Sequence, residues 1–215
     1  FSKIDKNTNF DVKSIIGSSG LSNIMNYENT VTPAFKGNFE YKNNNYGRIF
    51  SFDEIQKYSY KIKKMCMNIL KSKGVILIYS QFLDGGLIPI ALALEELGFT
   101  RAGNNKSFFK NPPTNKIDAI TYKTKEYTDN FNPATYSMIT GDISISPNNV
   151  DELKLATNVN NKNGEKVKVI MISEAGSEGL DFKFIRQVHI LEPWYNISRT
   201  EQIIGRAVRN CSHKD

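Results

Sequence analysis

The chain has 215 residues, of which 40% are hydrophobic, and this is enough for one globular domain or one domain with part of a neighbour. No apolar run approaches the roughly 20 residues that cross a bilayer and no secretion signal is visible, so we expect a soluble, intracellular protein with no membrane partner. Its two cysteines, Cys66 and Cys211, lack metal-ligand spacing and a disulfide framework, and we expect no metal site. The net charge of +6 is compatible with a polyanionic partner.

Residues 1–52 are rich in Asn, Ser, Lys and Gly and show weak periodicity. We interpret them as a connector or a partial neighbouring segment, and residues 53–215 as the main domain. Aromatic residues in this segment could stack on nucleobases, but packing is their commoner use. They are Phe35, Phe39, Tyr41, Tyr46 and Phe50.

The pattern sharpens from Ser51, which offers a helix N-cap signal, and strands then alternate with helices. Such alternation predicts an α/β fold in three layers, with a mainly parallel sheet covered by helices on both faces. The predicted elements are a helix at 51–70, strand at 75–79, helix at 87–97, strand at 116–122 inside an insertion loop, strand at 136–140, helix at 146–157, strands at 167–172 and 187–191, and helix at 198–210.

A loop of small residues follows the apolar strand at 167–172 and runs from Ser173 to Asp181. In parallel α/β sheets, ligands bind beyond the carboxyl ends of the strands. The small side chains leave room for phosphate or ribose, and the Asp181 carboxylate could accept a sugar hydroxyl. An ordinary turn between strand and helix would have the same pattern.

The stretch from Gln202 to Arg209 places Arg206 and Arg209 one helical turn apart, and Gly205 leaves space for a close approach. Two guanidinium groups on one face can bind a single polyanion bidentately. The alternative is a solvated helix end. Four of the six arginines fall between Arg186 and Arg209 in a chain that otherwise uses lysine, which favours a chemical requirement.

These two motifs, in this order, resemble motifs V and VI of superfamily 2 helicases, with Gln-x-x-Gly-Arg-x-x-Arg present in full. The strand tip at Ser80-Gln81 resembles motif IV, and Gly141-Asp142 resembles the turn after the next strand. The phrases at 82–89 and 192–196 are similar to helicase-like proteins of large cytoplasmic DNA viruses, the poxvirus, asfarvirus and mimivirus lineage. The resemblance covers about residues 53–211 and implies a RecA-like fold. It also implies a location, because a viral protein of this kind would act in the host cytoplasm or in the virion.

The resemblance also implies roles at ATP. Arg206 and Arg209 would be arginine fingers that stabilise the transferring γ-phosphoryl group, with the finger proper at Arg209. Gln202 would be a polar partner on the same helix face, and Gly179 and Asp181 would contribute further ATP contacts.

Nucleic-acid contacts are implied at the strand tips. Hydroxyl and backbone N–H groups there can bond phosphate oxygens without reading sequence, which suits a motor. The candidates are Ser80, Gln81, Gly141, Ser173 and Gly176. Asp142 would set turn geometry, because a carboxylate repels phosphate. Glu178 stands where many helicases carry arginine, and this departure argues against a phosphate contact at 178.

The chain contains no Gly-x-x-x-x-Gly-Lys-Ser/Thr phosphate loop and no Asp-Glu box. We therefore expect the second RecA-like domain of a longer protein, inactive alone, whose N-terminal RecA-like domain binds ATP and holds Mg²⁺. Its partners would be that domain and DNA or RNA. Two alternatives remain open: a nucleic-acid-binding ATPase of a viral transcription complex that does not unwind, and a RecA-like scaffold without a ligand.

Overall fold

The computed structural model describes residues 12–42, 46–177, 180, 182–193 and 197–207. The α-helices in these ranges are α1 (Gly17–Ile24), α2 (Tyr60–Ile69), α3 (Ile88–Glu96), α4 (Asn149–Ala156) and α5 (Ile197–Ala207). The strands are β1 (Met25–Val31), β2 (Ala34–Tyr41), β3 (Val75–Tyr79), β4 (Thr100–Arg101), β5 (Thr135–Ile139), β6 (Val169–Ile172) and β7 (Ile185–Ile190). None of these helices is long and apolar enough to cross a membrane.

The main sheet has the strand order β4-β5-β6-β3-β7, and every pairing in it is parallel. Because β3 lies inside the sheet, all five of its residues are apolar and buried. Ile76 and Ile78 face a core shared with α2 and α3, whereas Leu77 faces a second core that includes Ala156 of α4 and Ile203 of α5. The predicted three-layer α/β fold is confirmed.

Helix α1 and the antiparallel hairpin β1–β2 precede the main sheet, and the sequence patterns did not predict either. Leu21, Met25 and Phe39 belong to the same core as α2 and α3. Phe39 stacks on Tyr27 with ring centroids 4.7 Å apart. Packing is therefore the role of Phe39, while the division of the chain at residue 52 stays a prediction.

Two local predictions are wrong. Residues 116–122 form only isolated bridges in the structure, because the Asp118 carboxylate accepts the backbone N–H groups of Ile120 and Thr121 and folds the segment into a turn. The α2 helix begins at Tyr60 and not near Ser51, since its N-cap is Ser59, whose hydroxyl accepts the Ile62 N–H at 3.3 Å.

The insertion between β4 and β5 is fastened to the sheet by Glu95, a completely buried residue of α3. Its carboxylate accepts the N–H groups of Phe108 and Phe109 at 2.8 and 3.0 Å and the Tyr136 hydroxyl at 2.6 Å. Burial raises the pKa of Glu95, and the hydrogen bonds oppose that rise. This anchor fixes the loop that follows β4 at the carboxyl edge of the sheet.

Candidate nucleic-acid and nucleotide site

The loops after β5, β6, β3 and β7 lie side by side, because these strands are parallel neighbours in the sheet. The structure therefore brings the five predicted nucleic-acid residues to one edge. These are Gly141 after β5, Ser173 and Gly176 after β6, and Ser80 and Gln81 after β3. Their shared location is a finding, whereas their contacts with a nucleic acid stay predictions.

The loops after β5 and β6 are in direct contact. The Ser173 hydroxyl donates to the carbonyl of Thr140 at 2.7 Å and accepts the Gly176 N–H at 3.2 Å. A Cβ atom on Gly176 would lie 1.9 Å from the backbone oxygen of Ile139, and Gly141 has φ of +73°. Glycine is thus required at both positions to bring the two loops together.

The loops after β3 and β7 are joined through Glu192. The Ser80 hydroxyl lies 2.9 and 3.1 Å from the two carboxylate oxygens of Glu192, and the Gln81 N–H donates to the same group at 3.3 Å. Ser80 is completely buried, and Gly86 has no room for a side chain because its Cβ would lie 2.2 Å from the Ser80 oxygen. Sequence reasoning did not identify Glu192 as part of this edge, although it opens the phrase 192–196.

These hydrogen bonds decide which groups at the edge remain accessible. The hydroxyls of Ser80 and Ser173 are both buried and bonded within the protein. Gly141 is exposed, and Gln81 and Gly176 are half-buried. A ligand at this edge would therefore meet the backbone of Gly141 and Gly176 and the side chain of Gln81 more readily than either hydroxyl.

Helix α5 follows β7 and presents two different faces. Ile203 and Ala207 are buried in the second core, whereas Gln202 is exposed. A Cβ on Gly205 would meet nothing within 4 Å, so packing against the described residues does not require glycine there. Position 206 lies one turn beyond Gln202 in the same helix, which places both on one face.

Three residues that the motifs assign to ATP, Gly179, Asp181 and Arg209, lie outside the described residues, as does Glu178. Within the ranges given above, no group of three or more His, Cys, Asp or Glu side chains is placed to hold a metal ion. At the described part of this edge Gly141 is exposed and the Gln81 side chain is half-buried, and polar groups of this kind can contact phosphate oxygens.

Comparisons with known proteins show what this chain is similar to. Residues 112–211 match the family described as helicase conserved C-terminal domain. A protein of Acanthamoeba polyphaga mimivirus with the provisional name ATP-dependent RNA helicase R563 is 33% identical over 210 residues, covering 97% of this chain and 31% of the relative. A termination factor NPH-I homolog of African swine fever virus is 33% identical over 174 residues, covering 71% of this chain and 23% of the relative.

Nucleoside triphosphatase I of Melanoplus sanguinipes entomopoxvirus is 29% identical over 207 residues, covering 95% of this chain and 25% of the relative. The chain thus spans less than a third of the length of these three relatives. The fold and the matched residues define a helicase C-terminal domain of the RecA-like class. More narrowly, the chain is related to helicase-like proteins of mimivirus, African swine fever virus and an entomopoxvirus, and the resemblance inferred from the motifs is confirmed.

Proposed function

We propose that this chain is the C-terminal domain of an ATP-dependent nucleic-acid helicase or translocase. The observation that carries the proposal is the position of α5, which follows β7 at the edge where the strand-end loops meet and exposes the face that contains Gln202. An ATP molecule held by the first RecA-like domain of a longer protein would face this helix. Mg²⁺ would be held by that first domain.

Arg206 and Arg209 are proposed as the arginine fingers. A guanidinium is always charged and matches phosphate oxygens with a planar fork, so it can stabilise the charge that develops on the transferring γ-phosphoryl group. Fingers supplied across an interface contribute on the order of 10³ to 10⁵ in rate. Hydrolysis would then require the two domains to close, which couples ATP turnover to domain motion. Gln202, with Gly179 and Asp181, would complete the ATP contacts.

The nucleic acid, DNA or RNA, would bind through its backbone at the strand-end loops. The accessible groups favour Gln81, Gly141 and Gly176 as direct contacts. Ser80 and Ser173 would act by holding the loops in place, through the hydrogen bonds with Glu192 and Thr140. Contacts of this kind are independent of base sequence.

The test is ATP hydrolysis by the longer protein that carries this domain, measured with and without nucleic acid. Arg209→Ala should lower kcat by at least about 10³-fold and change the nucleotide KM much less, because a finger acts mainly in the transition state. Arg209→Lys should rescue poorly, since an ammonium cannot reproduce the guanidinium fork. Near wild-type hydrolysis by Arg209→Lys would transfer the finger role to Arg206.

Residues 1–215 alone supply the control for this test. We expect no ATP turnover from them, because the phosphate loop and the magnesium carboxylates would belong to the first domain. Clear turnover by the purified chain that disappears in Arg209→Ala would contradict the division of labour between two domains.

A second candidate is a nucleic-acid-dependent ATPase of a transcription complex that does not unwind duplexes. It is favoured by the African swine fever virus relative, whose name is termination factor NPH-I homolog. Strand-displacement and transcript-release assays on the longer protein separate the two candidates. ATP-dependent transcript release without displacement of a duplex strand would favour the second.

A further inference from the structure

A cavity of about 230 Å³ opens beyond the carboxyl ends of β4 and β5. Its walls come from the insertion loop at 104–108, the turn at 144–148 and the first residues of β2. Polar and apolar side chains share the lining, and the polar ones include Asn105, Ser107 and the cations Lys36, Arg101 and Lys106. None of the motifs that resemble helicases includes this cavity.

Arg101 is the buried cation of the cavity, with a side chain that is 6% exposed. Its guanidinium donates to the carbonyl of Ile145 and lies 4.7 Å from the centre of the Phe108 ring. The Nε atom lies 3.8 Å from a Glu152 oxygen and has no hydrogen-bond partner among the described residues. A buried arginine with a donor left unpaired is rare, because each such donor costs free energy.

Two buried carboxyl groups, Glu152 and Glu95, interact with Arg101. Burial raises the pKa of the Glu152 carboxyl to about 7, so near neutral pH this group is only partly ionised. Lys36 is already paired with Asp84 at 2.5 Å, and therefore adds little free charge. Lys106 is exposed at the rim and adds a second cation. The cavity thus favours an anion.

The cavity adjoins the candidate nucleic-acid edge. A shallower cavity of about 380 Å³, lined by Gly141, shares Pro147 and Asn148 with it. The Asn148 amide donates to the side-chain oxygen of Asn105 at 2.9 Å, which joins the turn after β5 to the insertion loop. A strand that passes Gly141 would therefore pass beside this cavity.

We propose that this cavity binds a phosphate group of the nucleic-acid strand that passes Gly141. The proposal rests on the proposed function, because it extends the same strand path toward β4. Arg101 and Lys106 supply charge, and the Asn105 and Ser107 side chains lie where they can contact the sugar-phosphate chain. The insertion between β4 and β5 thereby becomes part of the nucleic-acid surface.

The test uses residues 1–215 and a fluorescently labelled single-stranded oligonucleotide, with affinity measured over a series of salt concentrations. Lys106→Ala should weaken binding and reduce the slope of log K against log salt by about 0.7, the value for one phosphate contact with a single strand. The matched control is Lys71→Ala, an exposed lysine near the opposite edge of the sheet, which should leave the slope unchanged.

Ser107→Glu and Ser107→Gln form a second pair, equal in size and different in charge. The glutamate should weaken binding several-fold more than the glutamine, because a carboxylate in the cavity repels phosphate. Arg101→Gln should weaken binding more than Lys106→Ala, with a thermal melt to confirm folding. If Arg101→Gln does not fold, the variants at Lys106 and Ser107 still test the cavity.

Three outcomes overturn the proposal. If the wild-type chain does not bind the oligonucleotide at any salt concentration, the nucleic-acid part of the proposed function fails as well. If it binds and the Lys106 and Ser107 variants match wild type in affinity and slope, the cavity assignment alone fails. If AMP shifts the NMR signals of residues 104–108 while oligonucleotide affinity is insensitive to the variants, the cavity binds free nucleotide and not a strand.

Discussion

At the scale of single residues, Gly176 and Gly205 belong to the two helicase-like motifs and yet have opposite surroundings. A Cβ on Gly176 would collide with the backbone of Ile139 and Thr140, at 1.9 and 2.9 Å, whereas one on Gly205 would meet nothing within 4 Å. The first glycine is required by the contact between two loops. The open space at the second is available to a group from outside the described residues.

Gly176→Ala should therefore destabilise the chain by about 1–3 kcal/mol, because backbone atoms must move to admit the methyl group. Gly205→Ala, its control in the last described turn of α5, should stabilise the chain by as much as about 1 kcal/mol through helix propensity. Urea unfolding of both variants measures the difference. If the two variants had equal free energies of unfolding, the loops after β5 and β6 would be able to move apart and admit the methyl group without loss of stability.

Glu152 couples folding to pH through its burial on α4. Its pKa is raised from 4.5 to about 7, chiefly by desolvation, while Arg101 and the Met138 N–H oppose the rise. The folded state therefore keeps a proton between these pH values that the unfolded chain has lost. Its contribution to stability is fully present below pH 4.5 and is lost as pH rises toward 7.

Glu152→Gln removes this titration and retains an oxygen that can accept the Met138 N–H. The stability of Glu152→Gln relative to wild type should rise between pH 5 and pH 8, by on the order of 2–3 kcal/mol for a shift of this size. Urea unfolding at intervals of one pH unit measures it, with Glu201→Gln as an exposed control. Parallel pH profiles for wild type and Glu152→Gln would contradict the burial argument.

At the scale of elements, the connection between α4 and β6 is ordered by Asn161. This completely buried side chain donates to the carbonyls of Ala156 and Val167 and accepts the N–H groups of Lys166 and Val167. Four hydrogen bonds from one amide hold the polar segment at 158–166, whose regular structure is a short 3₁₀ helix at Val159–Asn161. They fix the start of β6, and hence the strand that leads to Ser173.

Asn161→Ala should lower the free energy of unfolding by about 2–4 kcal/mol, because it leaves several buried backbone groups without a partner. Its neighbour Asn160 is exposed and provides a matched control. Asn160→Ala should change stability by less than about 0.5 kcal/mol. Denaturant unfolding compares the two, and similar values for both variants would show that water replaces the Asn161 amide.

Elements with a strong apolar pattern could be predicted from the sequence, and elements fixed by side-chain hydrogen bonds could not. The strand at 75–79 is confirmed because its five residues are apolar throughout. The predicted strand at 116–122 fails because the Asp118 carboxylate forms a turn that competes with strand pairing. The β1–β2 hairpin was missed because most of β1 is exposed and polar.

The candidate site also contains some residues that could be predicted from the sequence and others that could not. The resemblance to helicase motifs predicted Gly141, Ser173 and Gly176, and parallel strand order explains why they meet. The partnership of Ser80 with Glu192 could not be predicted, since it depends on β7 lying beside β3 although the two residues are far apart in sequence. The place of Arg101 in the wall of a cavity could likewise not be predicted, because the residues around it come from the insertion and from β2.

At the scale of the whole molecule, we predict weak nucleic-acid binding by residues 1–215 that depends on salt and tolerates any sequence. The net charge of +6 and a few phosphate contacts supply attraction, while base-edge contacts are not expected at the strand tips. Fluorescence anisotropy with oligonucleotides of different sequence measures it. Tight binding to one sequence and little to the others would contradict contacts with the backbone.

The order of strands in the sheet also has a consequence for the chain while the ribosome is still synthesising it. Strand β3 is buried throughout, and both of its neighbours come late: Ile76 lies opposite Val169 of β6 and Gln187 of β7. About 90 residues separate β3 from the nearer partner, which at ordinary translation rates is a delay of on the order of ten seconds. During that interval Val75–Tyr79 has no strand to pair with, and it is exposed to aggregation. A shortened chain that ends before β6 leaves this strand unpaired on both sides permanently.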